Sequence, residues 1–232
     1  MTVLTAIQKV STVIGLEKPL SVFGSTVREL VELQDIANEV AESISKAYDW
    51  QILKTIATIT GDGATIDFPL PTDYARQIQK TTLWVLSRPF SPLQHVTDTD
   101  LWLGIVMSNL VTAIGQWTIY GNQVHIMPAL AAADTAKYYY ITNAMVMPAA
   151  GPNKQYFTLD TDTFLLDERV LRLGIIWQWK SNKGLPYAED LATYEIALQE
   201  AVARDKGSKA ITVGFQRSRM AASEYAFPGV LG

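Results

Sequence analysis

FTLDTDTFLLDERVLRLGIIWQWKSNKGLPYAEDLATYEIALQEAVARDKG, residues Phe157–Gly207, carries the clearest punctuation in the chain. Apolar residues recur at Leu166, Val170, Leu173 and Trp177, and again at Tyr187, Leu191, Tyr194, Leu198 and Ala201, in steps of three and four. That spacing puts each series on one stripe of an α-helix. Between the two series, Gly184 suits the left-handed position past a helix end, and Pro186 suits the first turn of the next helix. The stretch therefore predicts an extended lead-in followed by an antiparallel helical hairpin.

Toward the N-terminus, Leu4, Ile7, Val10 and Ile14 predict a short helix stopped at Gly15. Thr26-Val27-Arg28-Glu29 has the form of a capping box, in which hydroxyl and carboxylate satisfy reciprocal amides at a helix start. Leu30, Leu33, Ala37, Val40, Ile44 and Ala47 then mark the buried stripe of a long helix that would pack on the C-terminal hairpin. Tyr48 and Trp50 read as core anchors near its end.

After Thr55 the pattern changes from helical to alternating. Thr55–Thr60 and Thr65–Phe68 flank Gly61-Asp62-Gly63 and predict a β-hairpin. Thr81–Leu86 and Ala136–Thr142 read as strands, and Trp117–Ile126 as a hairpin turning at Gly121-Asn122. Thr97 reads as the cap of a short helix through Trp102 and Leu103. The expected class is α+β, an α-helical bundle with an inserted antiparallel β unit and an extended C-terminal arm. The expected division is residues 1–54 with 155–207 for the helices, 55–154 for the β unit and 208–232 for the arm.

A length of 232 residues supports a real core, and a hydrophobic fraction of 48% hints that some apolar surface meets another chain. No apolar run reaches the roughly 18 residues that span a bilayer. The N-terminal MTVLTAIQKV lacks the basic start and unbroken apolar core of a signal peptide, so a cytosolic protein with no membrane partner is expected. The absence of cysteine excludes disulfides, thiolate nucleophiles and cysteine-based metal sites.

A net charge of −4 lacks the basic bias of a dedicated DNA-binding domain. The charge is unevenly distributed. Glu29, Glu32, Asp35, Glu39, Glu42 and Asp49 stand against Arg28 and Lys46, whereas Arg204, Lys206, Lys209, Arg217 and Arg219 stand against Asp205. These are either two solvated faces or two surfaces for different partners.

His95 and His125 have no metal-motif spacing. Asp160-Thr161-Asp162 begins like a calcium loop, but Phe164 and Leu165 occupy the positions of a ligand and the turn glycine, and Leu171 that of the bidentate glutamate. Phosphate-binding glycine loops, nucleophile elbows and dinucleotide fingerprints are absent from the sequence. No catalytic residue, cofactor or metal is expected, and the chain does not read as an enzyme. Trp177 and Trp179, two apart on a helix, point about 200° apart. Either one packs among the helices while the other meets the β unit or a neighbouring subunit, or both make separate core contacts. In residues 208–232, single apolar anchors including Phe215, Tyr225 and Phe227 alternate with glycines, a proline, Arg217 and Arg219. Such a segment is either disordered, as chain termini often are, or an arm that orders on a partner by strand addition or groove docking, and the arm is expected.

Several of these motifs resemble the head-to-tail adaptor (connector, or head completion) proteins of tailed bacteriophages. They are Tyr48-Asp49-Trp50-Gln51, Thr58–Gly63 with Phe68–Tyr74, Trp117-Thr118-Ile119, and above all Thr163–Arg169 through Trp177–Lys180 to Gly184–Asp190. The resemblance covers about Thr26 to Gly207. It implies a structural, non-enzymatic virion protein of the neck, made in the host bacterial cytoplasm. Such a protein forms a homo-oligomeric ring, usually a dodecamer, that docks on the portal protein and presents a surface to the next neck or tail protein. DNA would pass through its channel without sequence-specific binding. Under that expectation Glu29, Glu32, Asp35, Glu39 and Glu42 border the channel, Phe215, Arg217, Arg219, Tyr225 and Phe227 reach the portal or an adjacent subunit, and Trp177 or Trp179 lies at a subunit interface. The rival expectation is a tail or tail-tip module whose β unit engages a receptor or carbohydrate through Trp84, Trp102 or Trp117.

Overall fold

The computed structural model describes residues 2–78, 81–108 and 114–206 and is a mixed α+β fold. Along the chain come α1 (Val3–Ile14), α2 (Arg28–Ala47), a 3₁₀ turn at Gln51–Leu53, β1 (Lys54–Thr60), β2 (Asp67–Pro69), β3 (Tyr74–Gln77), β4 (Trp84–Val85) and β5 (Gln94–His95). Then follow α3 (Thr99–Ser108), β6 (Gln116–Tyr120), β7 (Gln123–Met127), β8 (Thr135–Thr142), β9 (Val146–Met147), β10 (Thr163–Phe164), α4 (Glu168–Asn182) and α5 (Ala188–Lys206). Two compact units emerge. Among the described residues, one joins those up to Lys54 with Ile141–Lys206, and the other is Thr55–Tyr140.

In the first unit α4 packs against α1, α2 and α5. Its central place changes what it buries. Instead of the single stripe through Leu173 and Trp177, the helix buries Val170, Leu171, Gly174, Ile175, Ile176 and Trp179, an arc more than half way round. Gly174 matters because a Cβ there would overlap the Val40 side chain of α2 and lie 3.2 Å from Tyr194 of α5. Its bare backbone lets three helices approach. After α4, Gly184 takes the left-handed position as read, with φ +68° and Leu185 N donating to Lys180 O at 2.9 Å, whereas Pro186 falls ahead of α5 rather than in its first turn, because Tyr187 O accepts the helix's first bond, from Leu191 N. α5 buries Tyr194, Ala197 and Ala201 on one side.

α1 also starts and stops where the sequence places it, with Thr2 Oγ1 accepting from Thr5 N and Gly15 at φ +79°. The capping box of α2 does not form. Val27 is the cap residue and makes no side-chain cap bond, and Ser25 Oγ accepts from Val27 N instead. α2 buries Leu33, Ile36, Ala37, Val40, Ala41 and Ile44, a wider face than the predicted stripe.

The N-terminal segment is held by the loop before α4. Asp160 Oδ1 accepts from Val22 N at 2.9 Å and Phe23 N at 3.0 Å, and Val3 N donates to Asp162 O at 2.7 Å. Asp162 is fully buried, with Oδ2 accepting from Thr158 N at 2.7 Å and Leu159 N at 2.9 Å and pairing with Lys154 Nζ at 2.7 Å. Burial pushes both carboxyls up, but these donors outweigh it and hold both below the usual aspartate value. The Asp-Thr-Asp run that opens like a calcium loop is thus a clamp on the chain's own amides.

The second unit contains two sheets. One has the order β1-β8-β3, with β4 also on β8, and the other runs β2-β7-β6-β5, antiparallel except for the parallel β5–β6 pair. Side chains from both share one core that includes Ala57, Ile59, Val85, Trp117, Ile126, Ala136 and Tyr138. The hairpin at Gly121-Asn122 forms with φ +57° and +63°, the left-handed pair its sequence demands.

The expected hairpin of Thr55–Thr60 with Thr65–Phe68 does not form. β1 joins β8 and β2 joins β7, so the two runs separate into different sheets. Asp62 Oδ1 accepts from Ala64 N and Thr65 N, folding the connection on itself, and Gly61 is wedged against Leu130 and Ala131, where a Cβ would not fit. The expected end of the β unit at residue 154 also shifts. The division falls after Tyr140, because β9 pairs with β10 just ahead of α4 and Val146 bridges Lys154. Asp98, not Thr97, caps α3, its Oδ1 accepting from Asp100 N and Leu101 N.

Candidate functional site

α2 spans 20 residues, and Glu32, Asp35, Glu39 and Glu42 follow one another by three, four and three. They form one line on the side opposite Leu33, Ala37, Val40 and Ile44. Glu29 lies in the first turn, off that line, where a carboxylate meets the positive end of the helix dipole. Glu29, Asp35 and Glu39 are exposed, and Glu32 and Glu42 are half exposed.

The line is not a row of free charges. Lys183, at the end of α4, and Arg28 both pair with Glu32, and hold its carboxyl below the usual range. Lys46 pairs with Glu42 one turn on, and Gln178 Nε2 donates to Glu39 at 2.6 Å. Asp35, Glu39 and Glu29 make no ion pair among the described residues. The acidic surface is therefore weaker than five carboxylates suggest, and its strongest part is the middle of the helix.

The two tryptophans of α4 separate as their spacing requires. Trp179 is buried, with Lys183 Nζ 4.6 Å from its ring centroid. Trp177 is half buried between Tyr187 and Tyr194, with centroids 6.4 and 6.1 Å away. Of the pair, Trp177 alone retains appreciable surface. Phe215, Arg217, Arg219, Tyr225 and Phe227 lie outside the described residues, as does the rest of the expected arm.

No protein-family model matches the chain, and no curated protein matches it. The surfaces must speak through their own chemistry.

In the β unit Trp117 and Trp102 are core residues, which removes them as binding platforms. Trp84 is 48% exposed, paired across the strands with Lys137, and Tyr139 two residues on is 53% exposed. His125 is buried, with Nδ1 2.6 Å from Asp67 and Nε2 3.2 Å from Tyr120 O. His95 stacks on Trp117, and burial lowers its pKa. Among the described residues no cluster of three metal-ligating side chains occurs, and no helix is long and apolar enough to cross a membrane.

Sequence reasoning missed one surface. α3 buries Trp102 and Ile105 but exposes Leu101, Leu103 and Met107, the last at 79%. Its sequence, TDLWLGIVMS, has no polar face beyond its ends, and that lack was the readable signal.

Proposed function

We propose that this chain is a structural subunit of a tailed-phage neck, a head-to-tail adaptor. It forms a homo-oligomeric ring between the portal protein and the next neck or tail protein and continues the DNA channel. The observation that carries this reading is the acidic line of α2. A one-sided row of carboxylates opposite a buried face gives weak repulsion of DNA phosphates, which suits a wall past which the genome slides without being gripped. In the ring, the helices gathered round α4 act as a helical bundle that sets subunit spacing. The apolar outer side of α3, and Ile196 at 59% exposure on α5, supply surface of the kind subunits bury against each other. Residues 208–232, with Phe215, Arg217, Arg219, Tyr225 and Phe227, extend to the portal or to an adjacent subunit.

The test is the mass of the purified particle by light scattering with negative-stain imaging, alone and with portal-bearing heads. The expected result is a closed ring of about twelve copies of the 25.7 kDa chain, free or assembled on the head vertex. A chain that remains monomeric in both settings overturns the proposal. The rival reading, a tail module recognising a receptor or carbohydrate, keeps only Trp84 of its three tryptophans.

A further inference from the structure

The β unit exposes apolar side chains on two opposite sides. Ile56 of β1, Trp84 of β4 and Tyr139 of β8 alternate with Ala57, Val85, Tyr138 and Tyr140 of the shared core, so they stand on the outer side of the first sheet. Lys137, also exposed, is opposite Trp84 in the β4–β8 pair and two residues from Tyr139. A lysine thus stands beside two exposed aromatic rings. The other sheet carries α3 on its outer side. Trp102 of α3 lies 6.4 Å from the His125 ring and packs with Met127, and these two β7 residues alternate with Val124 and Ile126 of the core. The layers therefore run α3, second sheet, core, first sheet.

With Trp102 and Ile105 turned to β7, the line along the far side of α3 is Asp100, Leu103, Gly104 and Met107, all exposed. Gly104 is the telling member. Glycine inside a helix is less stable than alanine, yet a Cβ on Gly104 would meet none of the described residues within 4 Å. Packing among the described residues gives no reason for glycine there, whereas a bare backbone lets a ring from another molecule approach closely. The two faces are also complementary in charge. Asp100 closes one end of the apolar line on α3, and Lys137 stands within the aromatic face of the first sheet.

We propose that these two faces meet between copies of the chain: α3 of one subunit lies on the outer side of the first sheet of the next. Leu103 and Met107 cover Trp84 and Tyr139, Gly104 admits one ring against the helix backbone, and Asp100 pairs with Lys137, which would otherwise be buried without a partner. The contact is heterologous. Because its halves are on opposite sides of the β unit, each copy that joins leaves one face free for the next, and the series ends only when it closes on itself. This inference rests on the ring reading and names the surfaces that build it.

Because the chain has no cysteine of its own, single-cysteine variants of the full-length protein test the contact directly. Leu103→Cys and Tyr139→Cys are treated with a short bifunctional maleimide, each alone and mixed. The expected result is a covalent dimer from the mixture, little from either variant alone, and a ladder of higher products from the protein carrying both changes. Self-linking of either variant as strong as the mixture, or no product from the mixture because a receptor or carbohydrate is the true occupant of the Trp84 face, would overturn it. Light scattering separates this failure from that of the ring: a ring without the product removes only this contact, and a monomer removes both. A second variant, Gly104→Gln, keeps a good helix former at an exposed position. It should weaken assembly about tenfold or more while retaining the circular dichroism of the parent, and unchanged assembly would count against close approach at Gly104.

Discussion

At the residue scale, Asp160 and Asp162 show how a motif can resemble one chemistry and serve another. Their carboxylates accept from the chain's own amides and from Lys154. Both titrate below the aspartate value of 3.8 in the fold, so the unfolded chain binds more protons at acid pH. Their contribution is complete above about pH 4 and is lost as pH falls through the folded values. Asp162→Asn should cost about 2 kcal/mol near neutral pH, less than a fully buried pair because Lys154 keeps some access to water. Urea unfolding checks this twice. The midpoint should drop with an unchanged slope, and the gap between the midpoints at pH 6 and pH 3 should narrow in the variant.

At the scale of the elements, Gly174 sets how closely α4 approaches α2 and α5. Gly174→Ala gains helix propensity of about 1 kcal/mol, but its methyl group meets Val40 and Tyr194, and overpacking costs about 1–3 kcal/mol. A net loss of up to about 2 kcal/mol is expected. The double variant Val40→Ala with Gly174→Ala should be more stable than the sum of the single changes, and thermal melts of the four proteins read that coupling. Legibility in the sequence follows the range of the forces involved. Gly15, Gly184 and Gly121-Asn122 were readable because a left-handed backbone is a local demand. The pairing of β1 and β2 was not, since their partners β8 and β7 lie far along the chain. The wide burial of α4 was hidden for a similar reason: one stripe is the pattern of a helix with one neighbour, and α4 has three. The acidic line of α2 was legible as charge spacing, but its partial neutralisation by Lys183 was not, because that lysine comes from a distant helix.

At the scale of the whole molecule, the proposed adaptor reading gives the charges of α2 a part in the DNA channel rather than in stability. Replacing Glu32, Asp35, Glu39 and Glu42 by their amides should leave the urea midpoint close to that of the parent, since the affected ion pairs keep access to water and surface pairs add little. The same variant should gain salt-sensitive retention of duplex DNA that the parent lacks. Fluorescence anisotropy at low and moderate salt reads this, and equal anisotropy for the two proteins would remove the channel role of the line.

The clamp at Asp160 and Asp162 also sets an order in time. The first unit is split in sequence, and its N-terminal part is fastened by residues that the ribosome adds more than a hundred positions later. At about 5–20 residues per second, α1 and α2 wait roughly 7–30 s for their partners. Thr55–Tyr140 is continuous and needs no such delay. The β unit is therefore complete before α4 is made, and the older helices can close around α4 only after it has been added.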